Sequence, residues 1–146
     1  MHRGDGVARL RNAPTWLIKM AAERAGRLLA DGFAAADSRG YHYLLLAALD
    51  EHGPSSQAEL GRRCGIDRSD VVAAINEMAA ANLVERRPDE NDRRRNVITL
   101  TRAGSRHLKR LDDVVGGIQD AVLEPLSDRE RQQLLRLLAK LVDHGG

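Results

Sequence analysis

Residues 57–101 decide the fold, and they read QAELGRRCGIDRSDVVAAINEMAAANLVERRPDENDRRRNVITLT. Apolar residues at helical spacing in the first half predict one helix up to Cys64 and a second, longer helix that begins after Asp67. The runs 83–87 and 96–101 predict two short strands, because the second is β-branched and alternating. The strands flank a polar hairpin tip, which places its three consecutive arginines on a loop.

The two helices carry the spacing of a helix-turn-helix. Two helices that cross steeply need a small residue at their closest approach, which Gly61 supplies. Gly65 suits the turn because glycine tolerates a positive φ, and Val71 closes the pair. Ser56 and Glu59 form a capping box before the first of the two helices. With the hairpin as a β-wing, the predicted fold class is mainly α with a small β-wing, a winged helix-turn-helix.

The flanking sequence predicts further helices. Pro14 begins a helix that covers 14–36, and a glycine followed by a proline ends a helix at 41–51. A long helix spans 102–124, and its Gly116-Gly117 pair predicts either a bend or a close helix crossing. The last helix, capped by Ser127, is rich in leucine. We expect residues 1–13, which lack periodicity, to be frayed.

Composition excludes several classes of protein. One cysteine, Cys64, rules out an internal disulfide and fits a reducing compartment. No apolar run approaches the roughly 20 residues that a membrane span needs, and the charged start lacks the apolar core of a signal peptide. No cluster of His, Cys and Asp has metal-ligand spacing. We therefore expect a cytoplasmic protein with no cofactor, no metal and no membrane partner.

Basic residues concentrate in one segment. Residues 86–110 contain nine arginines and lysines against three acids, although the whole chain carries a net charge of only +2. Such a segment indicates contact with a polyanion, and the alternative is a solvated surface held by ion pairs.

The second helix of the motif is expected to enter the major groove of double-stranded DNA. Arg68 is the candidate to read guanine and Asn76 the candidate to read adenine. Ser69 suits a phosphate or a base edge, and Val72 and Ala73 can touch thymine methyl groups. For Arg68, the alternative is that it only pairs with local carboxylates.

The wing is expected to reach the minor groove, where the potential is most negative. Arg94 is the first candidate, with Arg93 and Arg95 as neighbours. Asp92 is expected to pair with one of them and fix the tip. Phosphate contacts add Ser56, Gln57 and Arg86.

Two runs of the sequence resemble the MarR family of bacterial transcriptional regulators. The wing run is NLVERRPDENDRRRNVITLTRAG, and the helix-turn-helix run is GPSSQAELGRRCGIDRSDVVAAINEMAAANLVER. The resemblance implies a homodimer in which 14–36 and 102–144 form a helical dimerisation lobe and 41–101 the DNA-binding lobe. It also implies a pseudo-palindromic DNA site and a repressor released by a small aromatic or lipophilic ligand.

The chain departs from the family at two places. Val72 and Ala73 stand where the family often has Ser or Thr and Arg, so base reading has fewer hydrogen bonds. The peroxide-sensing branch uses a cysteine near the N-terminus, and Cys64 instead lies inside the helix-turn-helix, where a buried structural thiol is favoured over a sensor.

The resemblance places a ligand pocket between the two lobes. Aromatic walls with a basic group suit an aromatic acid, and the alternative is that these residues are ordinary core. The candidates are Trp16, Lys19, Met20, Tyr41, His42 and Tyr43. The leucine-rich last helix independently favours dimerisation, unless it simply packs on the first helix.

Two other functions compete with DNA binding. The sequence lacks a Ser-His-Asp pattern and a phosphate-binding loop, so we expect no enzyme activity. A winged helix that contacts protein or RNA without operator specificity stays open, because Val72 and Ala73 offer little to base edges.

Overall fold

The computed structural model describes residues 7–144 and folds them into helices with a small sheet. The strands are β1 (Ser55–Ser56), β2 (Val84–Pro88) and β3 (Asn96–Leu100). The helices are α1 (Ala8–Arg11), α2 (Pro14–Ala35), α3 (Gly40–His52), α4 (Gln57–Cys64), α5 (Arg68–Ala80), α6 (Arg102–Val122) and α7 (Asp128–His144). The predicted elements are therefore confirmed within about two residues at each end. Within residues 7–144, no helix is both long and apolar enough to cross a membrane.

The described chain forms two compact units. The winged-helix unit is Leu28–Val115, and the terminal unit combines the residues up to Arg27 with those from Gly116 onward. Both boundaries fall inside helices, α2 and α6. The sequence had assigned these helices whole to one lobe, 14–36 and 102–144, which the division into compact units does not follow. The role of that lobe in dimerisation stays a prediction.

The winged-helix unit is built on an aliphatic core. Every buried hydrophobic residue of residues 7–144 lies between Phe33 and Leu111. Leu60, Ile75 and Met78 have no exposed surface. They come from α4 and α5, so the two helices of the motif meet over fully buried side chains, and the mainly helical fold with a wing is confirmed.

The helix-turn-helix spacing is confirmed residue by residue. A Cβ added at Gly61 would lie 3.1 Å from the Ile66 carbonyl oxygen and 3.5 Å from Val71 Cγ2. Gly65 ends α4 in the left-handed region with φ 65°. Val71 is 1% exposed, so it closes the helix pair as expected.

The caps follow the sequence with one exception. The Ser56 hydroxyl accepts from Glu59 N at 3.1 Å, and Ser56 N donates to Glu59 Oε1 at 3.4 Å, which completes the capping box. Ser127 and Glu130 form the second box. Asp67 precedes α5 as expected, but its side chain accepts no capping hydrogen bond.

The sheet contains a strand that the sequence did not predict. Its order is β1-β3-β2, with both pairings antiparallel. In the short outer strand β1, Ser55 pairs with Ile98 and Ser56 with Val97. Two serines carry no strand signal of their own, so β1 exists only because β3 lies beside it. The central strand β3 thus joins the wing to the start of α4.

The junction between the wing and α6 is close-packed, which the sequence did not reveal. A Cβ added at Gly104 would lie 2.0 Å from the Leu83 carbonyl oxygen. Thr101 holds the same junction, because its hydroxyl donates to the Asn82 carbonyl at 2.7 Å and accepts from Gly104 N at 2.9 Å. The first turn of α6 is therefore tied to the loop after α5.

The terminal unit leaves its apolar residues exposed. No residue of α7 is buried, so packing within one chain does not cover the leucine-rich helix. On α2, the apolar residues Trp16, Leu17 and Met20 are exposed as well. A Cβ added at Gly116 or Gly117 would meet nothing within 4 Å, so the described chain shows no close crossing there.

Residues 8–11 correct one expectation about the chain start. They form the short helix α1, although residues 1–13 were expected to be frayed. The part of that expectation that concerns residues 1–6 lies outside the described residues.

Candidate DNA-binding surface

Helix α5 presents one face to solvent and one to the core. Val71, Ala74, Ile75 and Met78 are buried at three- and four-residue steps. The predicted reading residues all lie on the opposite, exposed face, namely Arg68, Ser69, Val72, Ala73 and Asn76. The helix therefore offers this face to a groove while its other face holds it on the core.

Glu77, one of the two acidic residues on α5, contacts two residues from outside this helix. Arg39 and His42 both contact the carboxylate Oε1 of Glu77, the histidine through Nε2 at 3.3 Å. His42 is buried, and its Nδ1 lies 3.2 Å from the Ser38 hydroxyl. A carboxylate beside DNA phosphates would be unfavourable, and the positive charge of Arg39 offsets that of Glu77.

Asn76 and Arg86 contact each other. The Arg86 guanidinium, on β2, donates from Nη2 to Asn76 Oδ1 on α5. The sequence had assigned Asn76 to adenine and Arg86 to a phosphate. In the structure these two side chains contact each other, and both assignments to DNA stay predictions.

The wing tip is an ordered turn held by Asp92. Its Oδ1 accepts from Arg94 N at 3.1 Å and from Arg94 Nε at 3.2 Å. These side-chain and backbone hydrogen bonds hold the pKa of Asp92 below its usual range. The expected pairing of Asp92 with a wing arginine is thus confirmed. The Arg94 side chain is still 92% exposed, so it extends into solvent from a fixed base.

A second contact ties the wing to the helix-turn-helix. Arg95 Nη2 lies 3.6 Å from Glu59 Oε1, the same carboxylate that caps α4. Hydrogen bonds from Ser56 chiefly lower the pKa of Glu59, and the charges of Arg63 and Arg95 add to the effect. Arg93, the third wing arginine, forms no side-chain hydrogen bond or ion pair within residues 7–144.

The three predicted phosphate contacts do not share one environment. Arg86 is exposed, and Gln57 is half-buried. Ser56 is buried, and its hydroxyl is occupied by the capping box, donating to Glu59 Oε1 at 3.0 Å. The Ser56 side chain therefore belongs to the helix cap. All three phosphate contacts stay predictions.

Comparisons with known proteins agree with this geometry. Residues 37–95 match the model of the MarR family. The HTH-type transcriptional repressor NicR of Pseudomonas putida is 34% identical over 101 residues, which are 69% of this chain and 64% of NicR. A crystal structure of a probable transcriptional regulator from Pseudomonas aeruginosa has a TM-score of 0.79 and 28% identity, covering 91% of this chain and 99% of that chain.

The chain belongs to the MarR family. The transcriptional repressor CouR, solved with a 23-mer DNA duplex, has a similar structure, with a TM-score of 0.83 and 25% identity. That similarity covers 94% of this chain and 97% of CouR. The sequence match to NicR spans just under two thirds of that repressor's length.

In this MarR-family chain, the candidate ligand residues divide between the two units. The terminal unit holds Trp16, Lys19 and Met20, which are exposed, and Lys19 Nζ lies 5.1 Å from the centre of the Trp16 ring. The other candidates, Tyr41, His42 and Tyr43, lie on α3 in the winged-helix unit. The pocket itself stays a prediction.

Two of the candidates on α3 have structural partners of their own. Tyr43 donates its hydroxyl hydrogen to Asp112 Oδ1 at 2.8 Å, which raises the pKa of Tyr43 to about 12. The Tyr43 ring also packs 5.5 Å from that of Phe33. His42 is held by Ser38 and Glu77. Both side chains therefore serve the packing of this MarR-family winged helix, whatever they contribute to ligand binding.

The remaining candidate groups of this MarR-family chain are structural. Cys64 is half-buried, its thiol lies 3.5 Å from the Leu44 carbonyl oxygen, and burial raises its pKa, which favours an inert thiol. His107 lies on α6, and its Nε2 is buried without a hydrogen-bond partner among residues 7–144. Burial chiefly lowers the pKa of His107. Among residues 7–144, no group of three or more potential ligands is placed to hold a metal ion.

Sequence reasoning missed the contacts that hold the surface together. Arg39 precedes α3 and contacts Glu77 on α5, 38 residues later in the sequence. Ser38 contacts His42, whose Nε2 lies beside the same Glu77. The capping box marked Glu59, but nothing in the sequence linked it to Arg95. Such pairings depend on how helices and strands pack, and no local pattern encodes them.

Proposed function

We propose that this chain is a sequence-specific transcriptional regulator that binds double-stranded DNA. The observation that carries the proposal is the exposed face of α5 beside a wing that bears three arginines, two of which are paired with carboxylates. That face offers Arg68, Ser69 and Asn76 to base edges and Val72 and Ala73 to thymine methyl groups. Membership of the MarR family and the similarity to CouR support it.

The wing contributes affinity in this proposal. Arg94 reaches the minor groove from a turn that Asp92 has already ordered, so less conformational entropy is lost on binding. Arg93 and Arg95 add positive charge beside it. The few hydrogen-bonding residues on α5 then supply the specificity.

The regulator acts as a homodimer on a pseudo-palindromic site. The support is the set of apolar residues that one chain leaves exposed on two helices of the terminal unit. On α2 these are Trp16, Leu17, Ile18 and Met20, and on α7 they are Leu135, Leu137, Leu138, Leu141 and Val142. A second copy of the chain would bury them, and a twofold dimer fits a twofold DNA site.

Repression relieved by a small aromatic or lipophilic ligand is the mode of regulation that we propose. The repressor NicR, at 34% identity, supports repression. Lys19 beside the Trp16 ring is an arrangement that suits an aromatic acid. Release of bound DNA by a panel of simple aromatic acids, beginning with benzoate, tests this part of the proposal. Unchanged DNA affinity with every member of the panel would contradict it.

DNA binding is tested by measuring affinity for the DNA upstream of the protein's own gene over a salt series. We expect affinity to fall on the order of a thousandfold between about 50 and 200 mM salt, because phosphate contacts release counterions. Structured RNA as competitor tests the alternative of RNA or protein contact. A weak salt dependence, or a preference for RNA over duplex DNA, would overturn the proposal.

A further inference from the structure

The contact between Asn76 and Arg86 joins two side chains whose backbones are both fixed. Arg86 lies in the middle of β2, where it pairs with Ile98 of the central strand. Asn76 follows Ile75 on α5, and Ile75 is fully buried. Both side chains are exposed, so they meet at the surface between the wing and the helix that faces the groove.

The chemistry of the pair fixes which end of the amide faces the arginine. A guanidinium carries only donors, whereas the Asn amide has one acceptor oxygen and one donor NH2 group. If the amide were turned round, NH2 would face N–H, with donor against donor. Asn76 Oδ1 therefore points to Arg86, and the NH2 group is the end left for another partner.

This orientation changes what Asn76 can read. Bidentate reading of adenine needs both ends of the amide, since the oxygen accepts from N6 and the NH2 group donates to N7. Here the oxygen is already engaged, and a positive charge lies beside it. What the pair offers to the groove is the amide NH2 and the remaining guanidinium N–H groups, which are all donors.

We propose that Asn76 and Arg86 form one donor-only reading unit that recognises the acceptor edge of guanine, O6 and N7, in the major groove. Arg86 is then a specificity-determining residue and not a phosphate contact. Asn76 selects guanine where its residue type alone suggests adenine. The inference rests on the proposed DNA-binding function and adds a base preference to it.

The test selects duplexes from a random pool with the wild type, Arg86→Met and Asn76→Asp. The wild type should select guanine at one position of each half-site. Arg86→Met frees the amide, so preference there should move from guanine to adenine by roughly tenfold. Asn76→Asp keeps an oxygen for Arg86 but loses the NH2 group, so guanine preference should fall while the rest of the site is kept.

The matched control is Arg87→Met. Arg87 is the next residue on the same strand, equally charged and exposed, and it pairs with Glu85 at 2.9 Å. It should lower affinity without changing any base preference. Thermal unfolding of each variant checks that these surface changes leave the fold intact.

Two results would overturn the inference while DNA binding stands. One is wild-type selection of adenine at the position that Asn76→Asp alters. The other is an unchanged base preference in Arg86→Met with only a weaker salt dependence, which is the behaviour of a phosphate contact. If the wild type selects no duplex at all, the proposed function itself fails, and the base preference fails with it.

Discussion

The winged-helix unit and the terminal unit treat their apolar residues in opposite ways. In the winged-helix unit, aliphatic side chains from α3, α4, α5 and β3 are fully buried, Leu45, Leu60, Ile75 and Ile98 among them. In the terminal unit, Leu135 is 71% exposed and Val142 is 74% exposed. The first unit closes its core within one chain. The terminal unit has enough apolar residues to form a core, but no other part of the described chain packs against them.

This difference indicates two separate sources of stability. Burying a leucine side chain stabilises the folded state by about 1.5–3 kcal/mol. The exposed leucines of α7 would contribute this stability only when a second chain covers them. The winged-helix unit should therefore respond to changes in packing, and the terminal unit to changes in protein concentration. Four measurements separate the two, from the largest expected effect to the smallest.

Gly104→Ala should destabilise the winged-helix unit more than any other single change considered. Its Cβ would lie 2.0 Å from the Leu83 carbonyl oxygen, which is backbone and cannot turn aside. We expect the free energy of unfolding to fall by about 3 kcal/mol or more, measured by denaturant titration. The control is Gly26→Ala on α2, where an added Cβ meets nothing within 4 Å. Because alanine favours a helix more than glycine does, this variant should raise the free energy of unfolding by about 1 kcal/mol at most. Equal stabilities of the two variants would refute the close packing.

Leu138→Glu combined with Leu141→Glu should abolish the dimer and leave the winged-helix core folded. Burying two carboxylates at an apolar interface should weaken association on the order of a hundredfold or more. Analytical ultracentrifugation measures the dissociation constant, and circular dichroism checks the helix content. Gln132→Glu with Gln133→Glu adds the same charge to α7 as a control. A double variant of the leucines that dimerises as the wild type does would show that this face is not the interface.

Arg94→Ala should weaken DNA binding without altering dimerisation or unfolding. We expect a loss of about 1 kcal/mol, roughly fivefold, together with a reduction of the salt slope by about one. Fluorescence anisotropy over a salt series measures both. Arg136→Ala on α7 removes an equal exposed charge from the terminal unit and should change affinity less. If the two variants are indistinguishable, the wing has no special role.

His107 should make the winged-helix unit slightly less stable in acid. Its pKa is lowered in the folded protein, chiefly by burial, from the ordinary value of 6.5. The unfolded chain therefore binds the proton more readily than the folded protein does. The contribution of neutral His107 to stability is fully present above about pH 6.5, and it is lost as the pH falls from there through the lower pKa of the folded protein. His107→Gln should flatten the decline in thermal unfolding curves, whereas His144→Gln in the terminal unit should not. A decline that is the same in both variants would rule out His107 as its source.

The sequence predicted the features that are local. Gly61, Gly65 and Val71 fixed the helix-turn-helix because a steep helix crossing restricts those positions by itself, and the capping boxes marked where helices begin. The strand β1 was missed because Ser55 and Ser56 become a strand only beside β3. Gly104 was missed because its constraint is a carbonyl from a different segment.

The candidate site was predicted by residue type but not by partner. The exposed positions on α5 follow from helical periodicity, and all of them are exposed as expected. The contact of Arg86 with Asn76 and that of Arg39 with Glu77 depend on which strand or helix end lies beside α5. Sequence spacing alone does not show which residues will pack together. The prediction that Asn76 reads adenine therefore rested on its residue type.

The two-residue strand β1 has a consequence for the spacing of the DNA site. By pairing with β3, it fastens the start of α4 to the centre of the wing, and Arg95 with Glu59 adds a second fastening. These two contacts therefore fix the distance between the groove-facing side of α5 and the wing tip. We therefore expect each half-site to tolerate no insertion between its major-groove and minor-groove contacts. Any variation in operator length would fall at the centre of the site, between the two half-sites.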